Sequence, residues 1–121
     1  MPKIVYISHP IRGDVNENMQ RVWDIIRSVR SPDIRPIAPY LGFASLNPEN
    51  PRERWLGMLF REMLFRFKAF DELWVYGDHI SDGMVEDIAL ADACGIHFEV
   101  KTEAAVKAFA KYEHLRASEH R

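Results

Sequence analysis

Apolar positions along this chain alternate between a strand-like and a helix-like rhythm. Lys3–Ser8 is a short apolar run rich in β-branched residues, which predicts a buried strand. From Asp14 to Arg30 the rhythm is helical. Met19, Val22, Trp23, Ile26 and Val29 recur on one face until Ser31-Pro32-Asp33 stops the helix. Ile34–Ala38 predicts a weak second strand, with Pro36 counting against it. Pro39–Asn50 has turn composition and no period, so it predicts a long loop that could line a site. Asn50 can cap the next helix, Pro51 suits its first position and Glu53 completes a capping-box-like start. That helix runs to about Ala69. Its apolar residues between Trp55 and Phe67 cover more than one face, which predicts burial on two sides, the second being a subunit interface. Glu72–Tyr76 is a third strand, Asp82–Cys94 a third helix ended by Gly95, and Ile96–Val100 a fourth strand. Thr102 caps a last helix to about Leu115, and Arg116–Arg121 is a polar, frayed tail.

Strands alternating with helices predict a parallel sheet with right-handed crossovers. The fold class is α/β: a Rossmann-like or flavodoxin-like three-layer sandwich on four or five parallel strands, one domain over residues 1–115. Lys3–Ser8 and Glu72–Tyr76 are expected side by side at the centre. In such a sheet, ligands sit at the carboxyl ends of the strands, where helix N-termini present free N–H groups. Two strand–loop–helix units carry polar loops there: His9-Pro10-Ile11-Arg12-Gly13-Asp14 and Gly77-Asp78-His79-Ile80-Ser81-Asp82-Gly83. Both point to one shared small-molecule site.

The chain has 121 residues, 47% apolar and 28% charged, with a formal net charge of −2. A balance so near neutrality gives no electrostatic footprint for a nucleic-acid polymer. No apolar run reaches the roughly 18–20 residues of a membrane span, and the first residues do not read as a signal peptide. Cys94 is the single cysteine, so no internal disulfide forms, which fits a reducing compartment and a cytoplasmic protein. The histidines show no metal-ligand spacing, and no metal or cofactor is expected.

The chemistry-bearing candidates fall in the two loops. Arg12 with a helix N-terminus can hold a phosphate, or can be a solvated arginine in an ordinary turn. In the third helix, Met84 and Ile88 mark the core face. Asp87 lies about 100° from Ile88 and Glu86 about 160° away, toward solvent. Asp87 is therefore the better placed of the two candidate acids, although an acid there also suits the helix dipole. Ser81 reads as an N-cap that can offer its hydroxyl to a ligand. His9 and His79 fall at strand ends and could line the pocket. Tyr40 could stack on a base or pack beneath the long loop.

With these residues in hand, the chain resembles the nucleoside 2-deoxyribosyltransferase-like superfamily, which includes the 2′-deoxynucleoside 5′-phosphate N-hydrolases. Three segments carry the resemblance: Tyr6-Ile7-Ser8-His9-Pro10-Ile11-Arg12-Gly13, then Phe70–Asp78, and then Ser81-x-Gly83-Met84-x-x-Asp87-Ile88-x-x-Ala91 with Gly95-Ile96. Asp87 stands where the family pattern has glutamate, and His9 where a glycine is usual. The resemblance implies that the acid attacks the anomeric carbon, displaces the base and forms a glycosyl ester resolved by water or a second base. It implies catalytic roles at Asp87 and Glu86, with Asp87 as the nucleophile. Arg12, Gly13, Ser81 and Gly83 would hold phosphate and sugar, Asp78 and Tyr40 would face the base, and Tyr6, Ser8, His9, Ile11 and Met84 would complete the pocket. The expected ligand is a nucleoside or nucleotide, and the expected assembly a homodimer or larger homo-oligomer. A nucleotide-binding or sensing protein with little catalysis on the same scaffold is the alternative.

Overall fold

A computed structural model describes residues 1–43 and 50–119. Four strands, β1 (Lys3–Ser8), β2 (Ile34–Ile37), β3 (Glu72–Val75) and β4 (His97–Val100), form one sheet in the order β2-β1-β3-β4. Every pairing is parallel, and β1 and β3 are the central pair, with Ser8 opposite Val75. The expected α/β class and strand order are therefore the observed ones. Pro36 sits on an edge strand, where the N–H it lacks is not required.

Helices α1 (Val15–Val29), α2 (Pro51–Arg66), α3 (Asp82–Ala93) and α4 (Glu103–Glu119) connect and follow the strands. Strand alternation sorts the core into two sets. Tyr6, Leu73 and Val75 pack with Phe65 of α2, with Met84, Ile88 and Ala91 of α3 and with Phe109 of α4. Val5, Ile7 and Trp74 face the other way, toward Val22, Ile25, Ile26 and Val29 of α1. Because β1 side chains alternate, Ser8 falls on the Tyr6 side, facing α3.

The expected caps form: Asn50 Oδ1 accepts from the N–H groups of Arg52 and Glu53, Ser81 Oγ from Met84 and Thr102 Oγ1 from Ala105. Asp14 also caps α1, its Oδ1 accepting from the Glu17 N–H.

Several expectations are corrected. Pro39–Phe43 is a short 3-10 helix rather than structureless loop, and 44–49 lie outside the described residues. The last helix continues to Glu119, so Arg116–Glu119 is helical rather than a frayed tail, and 120–121 lie outside the described residues. Trp23 is 45% exposed although it falls in the helical apolar pattern, because α1 turns Val22 inward instead. Among the described residues no helix is long and apolar enough to cross a membrane.

A candidate active site at the carboxyl ends of the strands

Three elements converge on Asp87. It sits in the second turn of α3 at 5% exposure, with the neighbouring residues Met84 and Ile88 anchored in the core. The Ser8 hydroxyl, at the end of β1, donates to Asp87 Oδ2 across 2.9 Å. Arg61 of α2 approaches from the other side, with Nε 3.7 Å from Asp87 Oδ1, a Coulombic contact too long for a hydrogen bond. The same guanidinium forms an ion pair with Glu86 through Nη2. Arg61 therefore lies between the two acids of the third-helix motif.

Burial dominates the chemistry of Asp87. Removal from water pushes its carboxyl from the ordinary 3.8 up to about 7, against the opposing pull of Arg61 and the Ser8 hydroxyl; Glu86 adds a small push in the same upward direction. A carboxyl poised near neutrality and lining a cleft is a functional-site signature. Tyr6 and Tyr40 are held as neutral phenols, their acidity suppressed first by burial and then by the Asp87 charge. Tyr40 donates its hydroxyl to the Ile7 carbonyl at 2.5 Å, which ties the 3-10 helix to β1.

These groups border a cleft of about 1050 Å³, large enough for a nucleotide-sized ligand. Tyr6, His9, Ile11, Arg12, Tyr40, Ser81, Gly83, Met84, Glu86 and Asp87 all line it, as does His79. Ser8 lies behind Asp87 rather than on the wall. His9 is buried and its Nδ1 lies 2.6 Å from the Pro10 carbonyl. A carbonyl only accepts, so Nδ1 carries the proton and Nε2 is left as an acceptor. Burial also lowers the pKa of His9, which favours that neutral form.

Two of the expected residues lie outside the cleft lining, and a third sits differently from the solvated acid expected. Asp78 is outside the cleft lining; its side chain is 78% exposed and paired with His79 at 2.8 Å. Gly77, at φ +102°, turns the chain there, so that His79–Gly83 reach the cleft instead. Gly13, also left-handed at φ +99°, is exposed and outside the lining, while its neighbours Ile11 and Arg12 are in it. Glu86 is not simply solvated. It is half-exposed at the cleft rim and engaged by Arg61.

The wall built from α2 was not anticipated. Arg54, Met58 and Arg61 recur at helical spacing along one face and all line the cleft. Two arginines seven positions apart, hence on one face of the helix, were the available signal. Away from the cleft, Glu72, His97 and Glu99 bring one ligand atom each within 4.8 Å of one another. Lys3 pairs with Glu72 at 2.5 Å and Lys101 with Glu99 at 3.1 Å, so a cation there would have to displace two ammonium groups.

Residues 3–101 match the model of a family described as a domain of unknown function, DUF7768. The chain belongs to that family. No curated protein matches it. Among solved structures, it is similar to a conserved protein from Enterococcus faecalis V583, with a TM-score of 0.54 and 19% identity. The superposition covers 81% of this chain and 62% of that one, so this member of the DUF7768 family spans less than two thirds of the neighbour's length. At that identity the likeness speaks for the fold alone.

Proposed function

We propose that this DUF7768 protein is an N-glycosidase-like enzyme that cleaves or transfers the N-glycosidic bond of a nucleoside or nucleoside 5′-phosphate. The observation that carries this reading is the Asp87 carboxyl. It lines a nucleotide-sized cleft at the carboxyl ends of the central strands, with one oxygen fixed by Ser8 and the other without a hydrogen bond among the described residues. The ionised carboxylate adds to the anomeric carbon as the carbon–nitrogen bond breaks. The bonding pair leaves with the base, which takes up a proton, and water or a second base then displaces the carboxylate. Arg12 and Arg54 at the cleft supply charge for a phosphate, together with the α3 N-terminus at Ser81–Gly83.

One observation favours a second reading, a nucleotide-binding protein with little catalysis. Asp87 is 5% exposed with a pKa of about 7, so near neutrality much of it is protonated and unable to attack carbon. A panel of ribo- and deoxyribonucleosides and their 5′-monophosphates separates the readings. Each is incubated with the protein, free base is scored by chromatography, and binding by thermal shift. Base release that Asp87→Asn abolishes while binding persists supports the enzyme. Binding without release supports the sensor, and neither binding nor release removes both.

A further inference from the structure

Two unsatisfied groups face each other beneath the wall of the cleft. Arg61 Nε and Asp87 Oδ1 are both buried, and neither has a hydrogen-bond partner among the described residues. They are 3.7 Å apart, and both residues line the cleft. One is an obligate donor and the other an acceptor when ionised. Leaving either buried and unmatched is costly, so the pair marks a place for a water or for a ligand atom that takes its position.

The chemistry of that atom is narrow. Both atoms are closed to solvent, so the partly exposed Arg61 side chain has to swing to admit a ligand. An oxygen then placed about 2.7–3.0 Å from each group closes the triangle at ordinary hydrogen-bond lengths. It must accept from the Arg61 N–H and donate to the carboxylate. A phosphate oxygen has no proton to give and would add negative charge beside Asp87, and an ammonium cannot accept. A water does both, and among ligand groups so does a hydroxyl that displaces it. Ser8 occupies one lone pair of the carboxylate through Oδ2, and a hydroxyl on Oδ1 leaves further lone pairs for bonding to carbon.

We propose that Arg61 Nε and Asp87 Oδ1 together clasp a sugar 2′-hydroxyl, making the cleft selective for ribonucleotides over 2′-deoxyribonucleotides. The assignment rests on the glycosidase-like reading. A carboxylate that displaces the base approaches the anomeric carbon from the face opposite the base. In a ribonucleoside the 2′-hydroxyl projects from that same face, on the adjacent carbon. The hydroxyl closest to Asp87 is then the one that deoxyribose lacks. Arg61 is set for this by Glu86, which holds its outer nitrogen.

Calorimetric titration of the full chain with the four ribonucleoside 5′-monophosphates and their 2′-deoxy counterparts tests the assignment. The expected result is that the ribonucleotide that binds does so about 10- to 100-fold more tightly than its deoxy form. Arg61→Met keeps the side-chain length and removes the donor, and is expected to bring the two affinities within about threefold. Equal affinities in the unaltered protein, or a deoxy preference, overturn the assignment without any variant being needed while leaving the glycosidase-like reading in place. A ribo preference that survives Arg61→Met in a protein with unchanged circular dichroism also overturns it. Failure of every nucleotide to bind overturns the parent reading and this one with it.

Discussion

The Ser8 hydroxyl donates to Asp87 Oδ2 at 2.9 Å, joining the end of the first strand to the second turn of α3 across 79 positions of sequence. A donor on the ionised carboxylate favours the charged form, so Ser8 pulls the Asp87 pKa down against the larger upward push of burial. Glu86 acts in the opposite sense, because its like charge penalises ionisation. If Asp87 must be ionised to react, kcat/KM for base release rises with pH through an apparent pKa near 7. Ser8→Ala is expected to move that limb up by about one pH unit. Glu86→Gln is expected to move it down by a few tenths, since it removes the like charge and frees Arg61 for Asp87. A pH–rate profile of the three proteins checks this. Shifts of the same sign in both variants would refute the electrostatic account.

The same carboxyl predicts how stability depends on pH. Its folded-state pKa of about 7 lies above the ordinary 3.8, so folding favours the protonated form. Its contribution is fully present below about pH 4 and is lost as pH rises through 7. Asp87→Asn removes the ionisation and keeps the shape. The variant is therefore expected to gain stability relative to the parent as pH rises from 5 to 8, by at most roughly 2–3 kcal/mol. Thermal melts across that range test it. A constant Tm difference between the two proteins at all pH values would show that Asp87 does not carry the burden of burial.

Gly77 and Pro10 bring the two site loops into contact. Gly77 has φ +102°, and a Cβ built on it would stand 2.5 Å from Pro10 Cδ. Alanine therefore meets both a disfavoured backbone conformation and a clash with a rigid ring. Gly77→Ala is expected to cost about 2–4 kcal/mol and lower Tm by roughly 10 °C. Gly83→Ala is the contrasting case. Its nearest neighbour, Arg61 Nη1, is 3.9 Å away, so stability is expected to change by less than about 1 kcal/mol. Similar melting temperatures for both variants would argue against the Gly77–Pro10 contact.

Most of the fold was legible because its signals are local. β-branched runs, capping residues and the β-α alternation dictate a parallel sheet, and its strand order follows from short right-handed connections. Helical phase alone separated Asp87 from Glu86. Phase could not show that Arg61, on a different helix, reaches both acids, because that contact depends on how α2 packs across α3. Nor could it show that Gly77 turns Asp78 out to solvent, since a left-handed glycine changes the direction of the chain without any change in hydropathy. Trp23 was misplaced for a related reason: a helix on one flank of a small sheet buries a narrower stripe than its apolar residues could fill.

The outer surface of α2 yields the remaining prediction. Trp55 is 59% exposed, Leu56 48%, Leu59 39%, Met63 45% and Phe67 77%. Beside them, Met58, Ala89, Leu90 and Ala93 line a groove of about 380 Å³ between α2 and α3. A ridge of large side chains next to a groove floored by alanines is self-complementary under a twofold axis, the geometry of an isologous dimer. Trp55 and Phe67, with Leu56, Leu59 and Met63 beside them, supply the apolar centre of such an interface. A homodimer through α2 and α3 is expected, with a dimer mass by light scattering at micromolar concentration. The pair Trp55→Asp and Met63→Asp places charge in the contact without touching the core, and is expected to yield a folded monomer. A monomer mass for the unaltered protein would refute the dimer, and a dimer that survives both substitutions would move its interface away from α2.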